Sequence, residues 1–207
     1  MIQNYEIVRS RKYTHPETVV IVLHGYGATG RDFASVGEFC LSGAVDDTVF
    51  VFPDAPHECD AGRGRQWFAL HTMTHEELRI GLQNIGPGVY KFIQHISKEY
   101  ACDKVVVAGF SQGAMLALEM GYFGGISGVI AYSGIFVEDT NRTYDTNTNV
   151  LIVHSDDDVV VPYQNATDSV RFLTEAGVSA MLVTCHNIGH TISSEGWNAG
   201  LEFMKTC

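Results

Sequence analysis

Long apolar runs are missing from this sequence of 207 residues, and no stretch approaches the roughly 18 unbroken apolar residues typical of a membrane-spanning helix. The first residues lack a basic segment followed by an apolar one, which a secretory leader would show. Neither the start nor the terminal Cys207 matches a lipid-attachment motif. We therefore expect a cytoplasmic protein without a stable membrane anchor.

Cysteine and positive charge are also scarce. The five cysteines are scattered without a Cys-x-x-Cys spacing, which favours reduced thiols over a disulfide framework or a zinc site (Cys40, Cys59, Cys102, Cys185 and Cys207). Only 13 Lys and Arg stand against 24 Asp and Glu, so the formal net charge is −11. Such a charge disfavours nucleic acid and anionic lipid surfaces as partners.

What the sequence does contain is an alternation of short β-rich runs with longer helical stretches, within a length that suits a single domain over residues 1–207. The predicted strands are Tyr5–Val8, Val19–Leu23, Val49–Phe52, Val105–Ala108, Val129–Tyr132, Val150–Val153 and Met181–Thr184. The predicted helices are Arg31–Cys40, Val89–Glu99, Gln112–Tyr122, Gln164–Ala176 and Ser194–Met204. Several strands are almost continuously apolar, which predicts an α/β fold: a mostly parallel central sheet with helices on both faces and an antiparallel start.

Residues 53–88 are the least regular part of the sequence. An insertion with aromatic residues favours a lid or the wall of a substrate pocket, while a surface excursion whose Trp67 packs on the body is an equal alternative. The candidate wall residues are apolar side chains here and near later motifs, although core packing explains each of them as well: Trp67, Phe68, Leu70, Met73, Phe136 and Val160.

The stretch Gly109-Phe110-Ser111-Gln112-Gly113 follows an apolar run and precedes a helical one. A Gly-x-Ser-x-Gly turn between a strand and a helix is a nucleophile elbow, in which small residues let strand and helix pass closely while the serine is held exposed. Ser111 is therefore the predicted nucleophile, and an ordinary tight turn is the alternative.

A serine needs a base and an orienting acid. Asp156, Asp157 and Asp158 follow a predicted strand, and one of them is expected to orient the base while the others form a solvated turn or a helix cap. His190 follows the last strand on a glycine-containing loop and is the preferred general base. The order serine, acid, histidine is that of an α/β-hydrolase.

The other histidines favour structural roles (His24, His154 and His186), and His186 with His190 lacks the helix and glutamate of a zinc-protease motif. Backbone amides of Gln112, at a helix start, and of Tyr26, in the turn Leu23-His24-Gly25-Tyr26-Gly27, are the predicted donors of an oxyanion hole. Such chemistry requires neither a cofactor nor a metal.

Together these residues resemble the phospholipase/carboxylesterase family of α/β-hydrolases, which includes acyl-protein thioesterases and small bacterial carboxylesterases. The resemblance runs from the His24 turn to the His190 loop and is most specific in Pro53-Asp54-Ala55-Pro56, Arg65-Gln66-Trp67-Phe68, the elbow and the stretch Asp158 to Pro162. In that family the catalytic aspartate lies four residues before the proline, which implies Asp158 here.

The resemblance implies a serine carboxylesterase that forms an acyl-enzyme with a small-molecule or lipid-like ester. Because this polypeptide is short for the family, the loops that build a long acyl channel are expected to be trimmed, which favours short to medium acyl groups. Ala69, Ser155 and Val159 depart from residues frequent in the family. An acyl-protein thioesterase acting on an acylated protein and a lysophospholipase are alternatives of the same class. A non-catalytic binding protein on a hydrolase scaffold would be expected to lack a triad residue, and a peptidase would want a site for a substrate terminus. The oligomeric state is open.

Overall fold

The computed structural model of the chain describes residues 2–10, 15–41 and 45–207. The strands are β1 Tyr5–Arg9, β2 Thr18–Leu23, β3 Thr48–Pro53, β4 His57–Glu58, β5 Arg65–Gln66, β6 Lys104–Phe110, β7 Gly128–Tyr132, β8 Asn149–Ser155 and β9 Ala180–Cys185. The helices are α1 Gly30–Leu41, α2 His75–Tyr100, α3 Gln112–Met120, α4 Gln164–Glu175 and α5 Ser194–Thr206. All seven predicted strands are present, which confirms the α/β class.

A seven-stranded sheet with the order β1-β3-β2-β6-β7-β8-β9 forms the centre of the fold. All neighbours pair in parallel except β1, which pairs antiparallel with β3. The antiparallel start is therefore present, but β1 lies next to β3 and not next to its chain neighbour β2. This order puts β6, which ends beside Ser111, in the middle of the sheet, with the carboxyl ends of the parallel strands on one edge.

The sheet is covered on both faces, as the continuously apolar strands predict. On β2, Val19, Ile21 and Leu23 face the core shared with α2, α3 and α4. Val20 and Val22 face the opposite core, which α1 and α5 cover. Strand side chains alternate between the two faces, so a strand buried on both must be apolar at every position.

Helix α2 begins at His75, so the predicted start at Val89 is wrong. Thr74 caps the helix by accepting a hydrogen bond from the amide of Glu77, and this Thr-x-x-Glu spacing was the overlooked signal. Pro87 lies inside the helix, two residues before the predicted start. The helix continues because one buried apolar face runs across the proline: Leu78, Leu82, Val89, Phe92, Ile93 and Ile96.

The side chain of Glu77 also organises the loop before α2. Its carboxylate accepts hydrogen bonds from the amides of Thr72, His71 and Met73, and these bonds lower the pKa of Glu77 to about 2. Much of the stretch 53–88 is thus regular structure. It includes the small β4–β5 sheet, whose two-residue strands are too short to be predicted from an alternation of apolar and polar residues. Movement of this stretch as a lid stays a prediction.

Within the described parts of the chain, no helix is both long and apolar enough to cross a bilayer. Cys59, Cys102, Cys185 and Cys207 are free thiols, and the side chain of Cys40 lies outside the described residues.

Candidate active site

The turn from β6 into α3 holds Ser111 at φ 54° and ψ −116°, a backbone conformation that non-glycine residues rarely adopt. A Cβ atom on Gly109 would lie 2.2 Å from the carbonyl oxygen of Gly113. One on Gly113 would lie 2.1 Å from the carbonyl oxygen of Leu23. Any larger residue at either position would separate strand and helix, which is why this turn requires both glycines.

The base loop, residues 186–190, brings His190 to this serine. The Nε2 atom of His190 lies 3.0 Å from Ser111 Oγ, and its Nδ1 lies 2.7 Å from Asp158 Oδ2. The imidazole is 18% exposed, whereas the carboxylate is fully buried. Because a carboxylate can only accept from Nδ1–H, Nε2 is left as the acceptor for the serine hydroxyl. The ring of Phe110 packs 4.8 Å from that of His190, centre to centre.

Asp158 is held as a carboxylate. Its Oδ1 accepts hydrogen bonds of 2.9 Å from the amides of Val160 and Val161. Burial raises the pKa of the Asp158 carboxyl, but the hydrogen bonds from His190, Val161 and Val160 outweigh burial and leave that pKa below its usual value. The carboxylate therefore keeps its charge beside His190.

A second histidine contacts the same carboxylate from the interior. The Nε2 atom of buried His154 lies 2.8 Å from the carbonyl oxygen of Val161 and 3.4 Å from Asp158 Oδ2. Its Nδ1 has no partner among the described residues. The proton must be on Nε2 to satisfy the carbonyl, and burial lowers the pKa of His154, so the ring is neutral. His154 thus supports the loop that carries Asp158.

Asp156 and Asp157 hold the base loop as well, a role that the predicted solvated turn or cap does not include. Asp156 contacts His186 Nδ1 at 2.5 Å and accepts a bond from the amide of Asn187. Asp157 accepts a 2.8 Å bond from the amide of Gly189. Three successive carboxylates therefore bind successive parts of the base loop, and the contact with His190 Nδ1 distinguishes Asp158, the residue that the family resemblance implied, from its neighbours.

The turn that carries Tyr26 is fixed by His24. The buried His24 donates from Nδ1 to the carbonyl oxygen of Gly25 at 2.8 Å and accepts at Nε2 from the amide of Ala55 at 3.0 Å. Burial lowers the pKa of His24, which favours the neutral ring that this pair of bonds requires. Tyr26 follows β2, which pairs in parallel with β6, and Gln112 opens α3 directly after Ser111, so both predicted oxyanion donors lie on segments next to the serine turn.

The strand β5 clamps the same turn from outside. The amide of Gly27 donates to the carbonyl oxygen of Arg65 at 2.9 Å, and the amide of Arg65 donates to that of Ala28 at 2.9 Å. The guanidinium of Arg65 donates to the carbonyl oxygens of Ala55 and Pro56. The motifs at 53–56 and 65–68 therefore act as one brace around the Tyr26 turn.

Trp67 and Gln112 extend that brace to the nucleophile. The indole Nε1 of Trp67 donates to the carbonyl oxygen of His24 at 2.9 Å. The side chain of Gln112 accepts from the amide of Trp67 at 2.9 Å and donates to the carbonyl oxygen of Phe68 at 2.7 Å. The residue after the serine is thus bonded to the segment that supports the Tyr26 turn.

The six predicted wall residues lie in different environments. Trp67 is completely buried and Phe68 is 7% exposed, and both line a cavity of about 970 Å³ between the β4–β5 hairpin and α2. Leu70 and Met73 are half-buried against the core on the α2 face.

Phe136 and Val160 make up the rest of the wall set. Phe136 is 7% exposed and packs on the rings of Tyr122 and Tyr144. Val160 is 52% exposed next to Asp158. Leu70, Met73 and Val160 are therefore the members of the set with the most surface available to a ligand.

Metal ligands do not converge in the described part of the chain: among those residues, no three His, Cys, Asp or Glu side chains form a group that could hold an ion. The pair of His186 and Asp156 is engaged in its own hydrogen bond.

Comparison with known proteins identifies the family. A model of the phospholipase/carboxylesterase family matches residues 3–207. Acyl-protein thioesterase 1 of Kluyveromyces lactis is 28% identical over 173 residues, which cover 75% of this chain and 76% of that protein. Esterase YpfH of Escherichia coli is 23% identical over 193 residues, which cover 91% of this chain and 82% of that protein.

Solved structures agree with this match. The crystal structure of esterase PE8 superimposes with a TM-score of 0.88 at 28% identity and covers 97% of each chain. That of Zea mays acyl-protein thioesterase 2 gives a TM-score of 0.78 at 21% identity over 98% of each chain, and shares the fold. The chain therefore belongs to the phospholipase/carboxylesterase family of α/β-hydrolases and is a hydrolase of carboxylic esters.

Proposed function

We propose that this protein is a serine carboxylesterase that hydrolyses short- to medium-chain acyl esters through an acyl-enzyme on Ser111. The observation that carries the proposal is a continuous chain of two hydrogen bonds. Ser111 Oγ lies 3.0 Å from His190 Nε2, and His190 Nδ1 lies 2.7 Å from the buried carboxylate of Asp158. A serine, a base and an orienting acid in this order supply the three roles that acyl transfer requires.

In the acylation step, Ser111 Oγ attacks the carbonyl carbon of the ester while His190 Nε2 takes the hydroxyl proton. The carbonyl π electrons move onto oxygen, and the amides of Tyr26 and Gln112 bind the resulting oxyanion. The tetrahedral intermediate collapses when the bond from carbon to the alcohol oxygen breaks. His190 gives its proton to that oxygen, so that an alcohol and the acyl-enzyme are formed.

In the deacylation step, His190 takes a proton from water as the water oxygen attacks the acyl carbon. The same amides bind the second oxyanion, the bond to Ser111 Oγ breaks, and His190 returns the proton to the serine. Asp158 keeps the ring of His190 in the Nδ1–H tautomer and stabilises the imidazolium in both steps.

The acyl group is proposed to lie along the Gln112 side of the serine, near Phe68, Leu70 and Met73. Support comes from the hydrogen bonds that join the side chain of Gln112 to the backbone of Trp67 and Phe68. Since Trp67 and Phe136 are covered by the core, the acyl group can contact only part of the predicted wall, chiefly Phe68, Leu70 and Met73. A small wall suits a short or medium acyl chain better than a palmitoyl chain.

An acyl-protein thioesterase is the second candidate. Val159 and Val160 are 91% and 52% exposed directly beside Asp158, which gives the site an apolar rim. Such a rim suits contact with a lipid carried on a protein surface. Several relatives bear this name, including the one from Kluyveromyces lactis.

The test is hydrolysis of p-nitrophenyl esters from acetate to palmitate, with a palmitoyl thioester alongside and Ser111→Ala as the control. We expect a short- to medium-chain optimum that is absent in the variant. A preference for the long thioester would favour the thioesterase instead. Failure of a fluorophosphonate probe to label Ser111, together with no serine-dependent turnover, would overturn the proposed nucleophile.

A further inference from the structure

A cavity of about 380 Å³ lies between the start of α1 and the start of α5, on the face of the sheet opposite the core in which Trp67 is buried. Its apolar lining consists of Phe33, Phe110, Ile192 and Trp197. Its polar lining consists of three hydroxyl side chains, those of Thr191, Ser193 and Ser194. None of the predicted site residues lines it, so sequence reasoning did not assign it a role.

Residues that line the cavity are next to the reacting groups in the sequence and pack against them. Phe110 directly precedes Ser111, and its ring lies 4.8 Å from that of His190. Thr191 and Ile192 directly follow His190. Phe110 and Ile192 pack on the core beneath α1 and α5, whereas Phe68 packs on the opposite face. The two neighbours of Ser111 in sequence thus lead to two different apolar regions.

The chemistry of ester cleavage decides which arm of the ester goes where. The alcohol oxygen must lie at His190 Nε2 when the tetrahedral intermediate collapses, because His190 is the acid that protonates it. The carbonyl oxygen must at the same time face the amides of Tyr26 and Gln112. The alcohol arm therefore leaves the reacting carbon on the His190 side, where Phe110 and Ile192 line the cavity.

We propose that this cavity is the binding site for the alcohol arm of the substrate, and that it selects neutral, aromatic or branched apolar alcohols. This inference rests on the proposed function. The rings of Phe33 and Phe110 lie 6.3 Å apart, within the range in which aromatic groups pack favourably, so a third ring has partners there. A volume of about 380 Å³ is at the small end for ligand pockets, which suits one ring system.

The lining also indicates what the alcohol is not. The lining residues that the structure describes carry hydroxyl groups but no charge. A phosphate-bearing alcohol such as a lysophospholipid headgroup would leave its charge without a cation, and burying an unpaired charge is costly. The cavity therefore disfavours the lysophospholipase alternative.

The first experiment varies the alcohol at constant acyl group. Methyl, butyl and benzyl acetates have leaving alcohols of similar basicity, so differences in kcat/KM report binding of the alcohol arm during acylation. We expect the wild-type protein to prefer benzyl over methyl acetate by about tenfold or more, a ratio worth about 1.4 kcal/mol. The expected change lies in kcat/KM and not in the deacylation rate, because all three esters form the same acetyl-enzyme.

Two substitutions at Ile192 alter the cavity in opposite directions. Ile192→Trp should fill it and lower the benzyl-to-methyl ratio at least about tenfold, while Ile192→Ala should enlarge it and move the optimum to naphthylmethyl acetate. Ile188 is the matched control, since it lies four residues before Ile192 and packs on the same core but does not line the cavity. Ile188→Ala should leave the ratio as it is in the wild type.

A second measurement needs no variant. With p-nitrophenyl acetate as donor, added benzyl alcohol should intercept the acetyl-enzyme: its oxygen attacks the acyl carbon, His190 takes its proton, and Ser111 Oγ leaves and receives that proton. We expect benzyl acetate to form with saturable dependence on benzyl alcohol, and methanol to show no saturation in the same range.

The proposal is overturned if both Ile192 variants retain the wild-type alcohol preference, or if they change acyl-chain preference instead, since the cavity would then hold the acyl arm or no ligand. Linear, unsaturable transfer to benzyl alcohol would also contradict it. Labelling of Ser111 by a fluorophosphonate separates these outcomes from failure of the proposed function, because an unlabelled serine would discredit the nucleophile and not the cavity.

Discussion

The two tryptophans of this chain pack on opposite faces of the central sheet and are held in different ways. Trp67 is completely buried, its indole N–H donates to His24 at 2.9 Å, and its ring packs 5.2 Å from that of His24. Trp197 is half-buried and stacks on Tyr132 at 6.1 Å. Its buried Nε1 has no partner among the described residues.

The difference follows from what each side is proposed to do. Donors to an oxyanion must be fixed before the reaction, because reorientation during the reaction would cost free energy. Directional hydrogen bonds from Trp67, Arg65 and Gln112 provide that rigidity. A site that selects an apolar group by shape needs exposed apolar surface and an empty volume. The rings around Trp197 provide both in the cavity of about 380 Å³. Hydrogen bonds thus fix the segment around Trp67, while the segment around Trp197 keeps a cavity.

The largest effect concerns the serine between the two sides. Ser111→Ala should lower kcat by a factor on the order of 10⁶, because no other group in the described site can form the acyl-enzyme. Circular dichroism should show an unchanged fold, since alanine is smaller than serine and Ser111 is not in the core. Substantial residual turnover by the purified variant would assign the chemistry to another residue.

The next effect separates Asp158 from its neighbour in the same turn. Asp158→Asn should lower kcat by a factor on the order of 10⁴, because an amide cannot hold His190 in the required tautomer. Asp157→Asn is the matched control, which weakens a bond to the backbone of the base loop and should cost far less activity. Both are compared by kcat on p-nitrophenyl acetate. The reverse ranking would move the acid to Asp157.

A smaller effect tests the comparison of the tryptophans directly. Trp67→Phe removes the donor to the buried carbonyl of His24 and should lower the free energy of unfolding by about 1–3 kcal/mol from the hydrogen bond, with a further loss from packing. Trp197→Phe removes a donor without a partner and should cost less than about 1 kcal/mol. Urea denaturation measures both. Equal costs would mean that the two sides are not held differently.

The smallest effect concerns the exposed pair that ties the base loop to the acid turn. The hydrogen bond that His186 donates to the carboxylate of Asp156 raises the pKa of His186 above its usual value of about 6.5. A raised pKa in the folded state contributes stability that is present below the unfolded pKa and is lost as the pH rises through the folded one. The difference in Tm between wild type and His186→Gln should therefore be larger at pH 6 than at pH 9. A difference that grows with pH would contradict this pairing.

The central strands of the sheet were predictable because each is a short apolar run, and a strand covered on both faces must be apolar at every position, whereas the exposed edge strand β1 is recognisable only by its β-rich composition. The part of α2 before Val89 was not predicted, because proline disfavours a helix interior and the apolar face that continues across Pro87 stabilises the helix only against a partner surface. The position of β1 beside β3 depends on pairing between distant residues, which no local pattern encodes.

Local sequence patterns were enough to predict the class of fold, the elbow around Ser111 and a short list of residues for the other roles, because strand periodicity and turn sterics are local. Only the tertiary structure brought His190 and Asp158 to that serine, gave Asp156 and Asp157 their bonds to the base loop, and distinguished Trp67 from Trp197. Those differences depend on hydrogen bonds and cavities between residues far apart in the chain. Such contacts form only when the complete sheet has assembled with its helices packed on both faces.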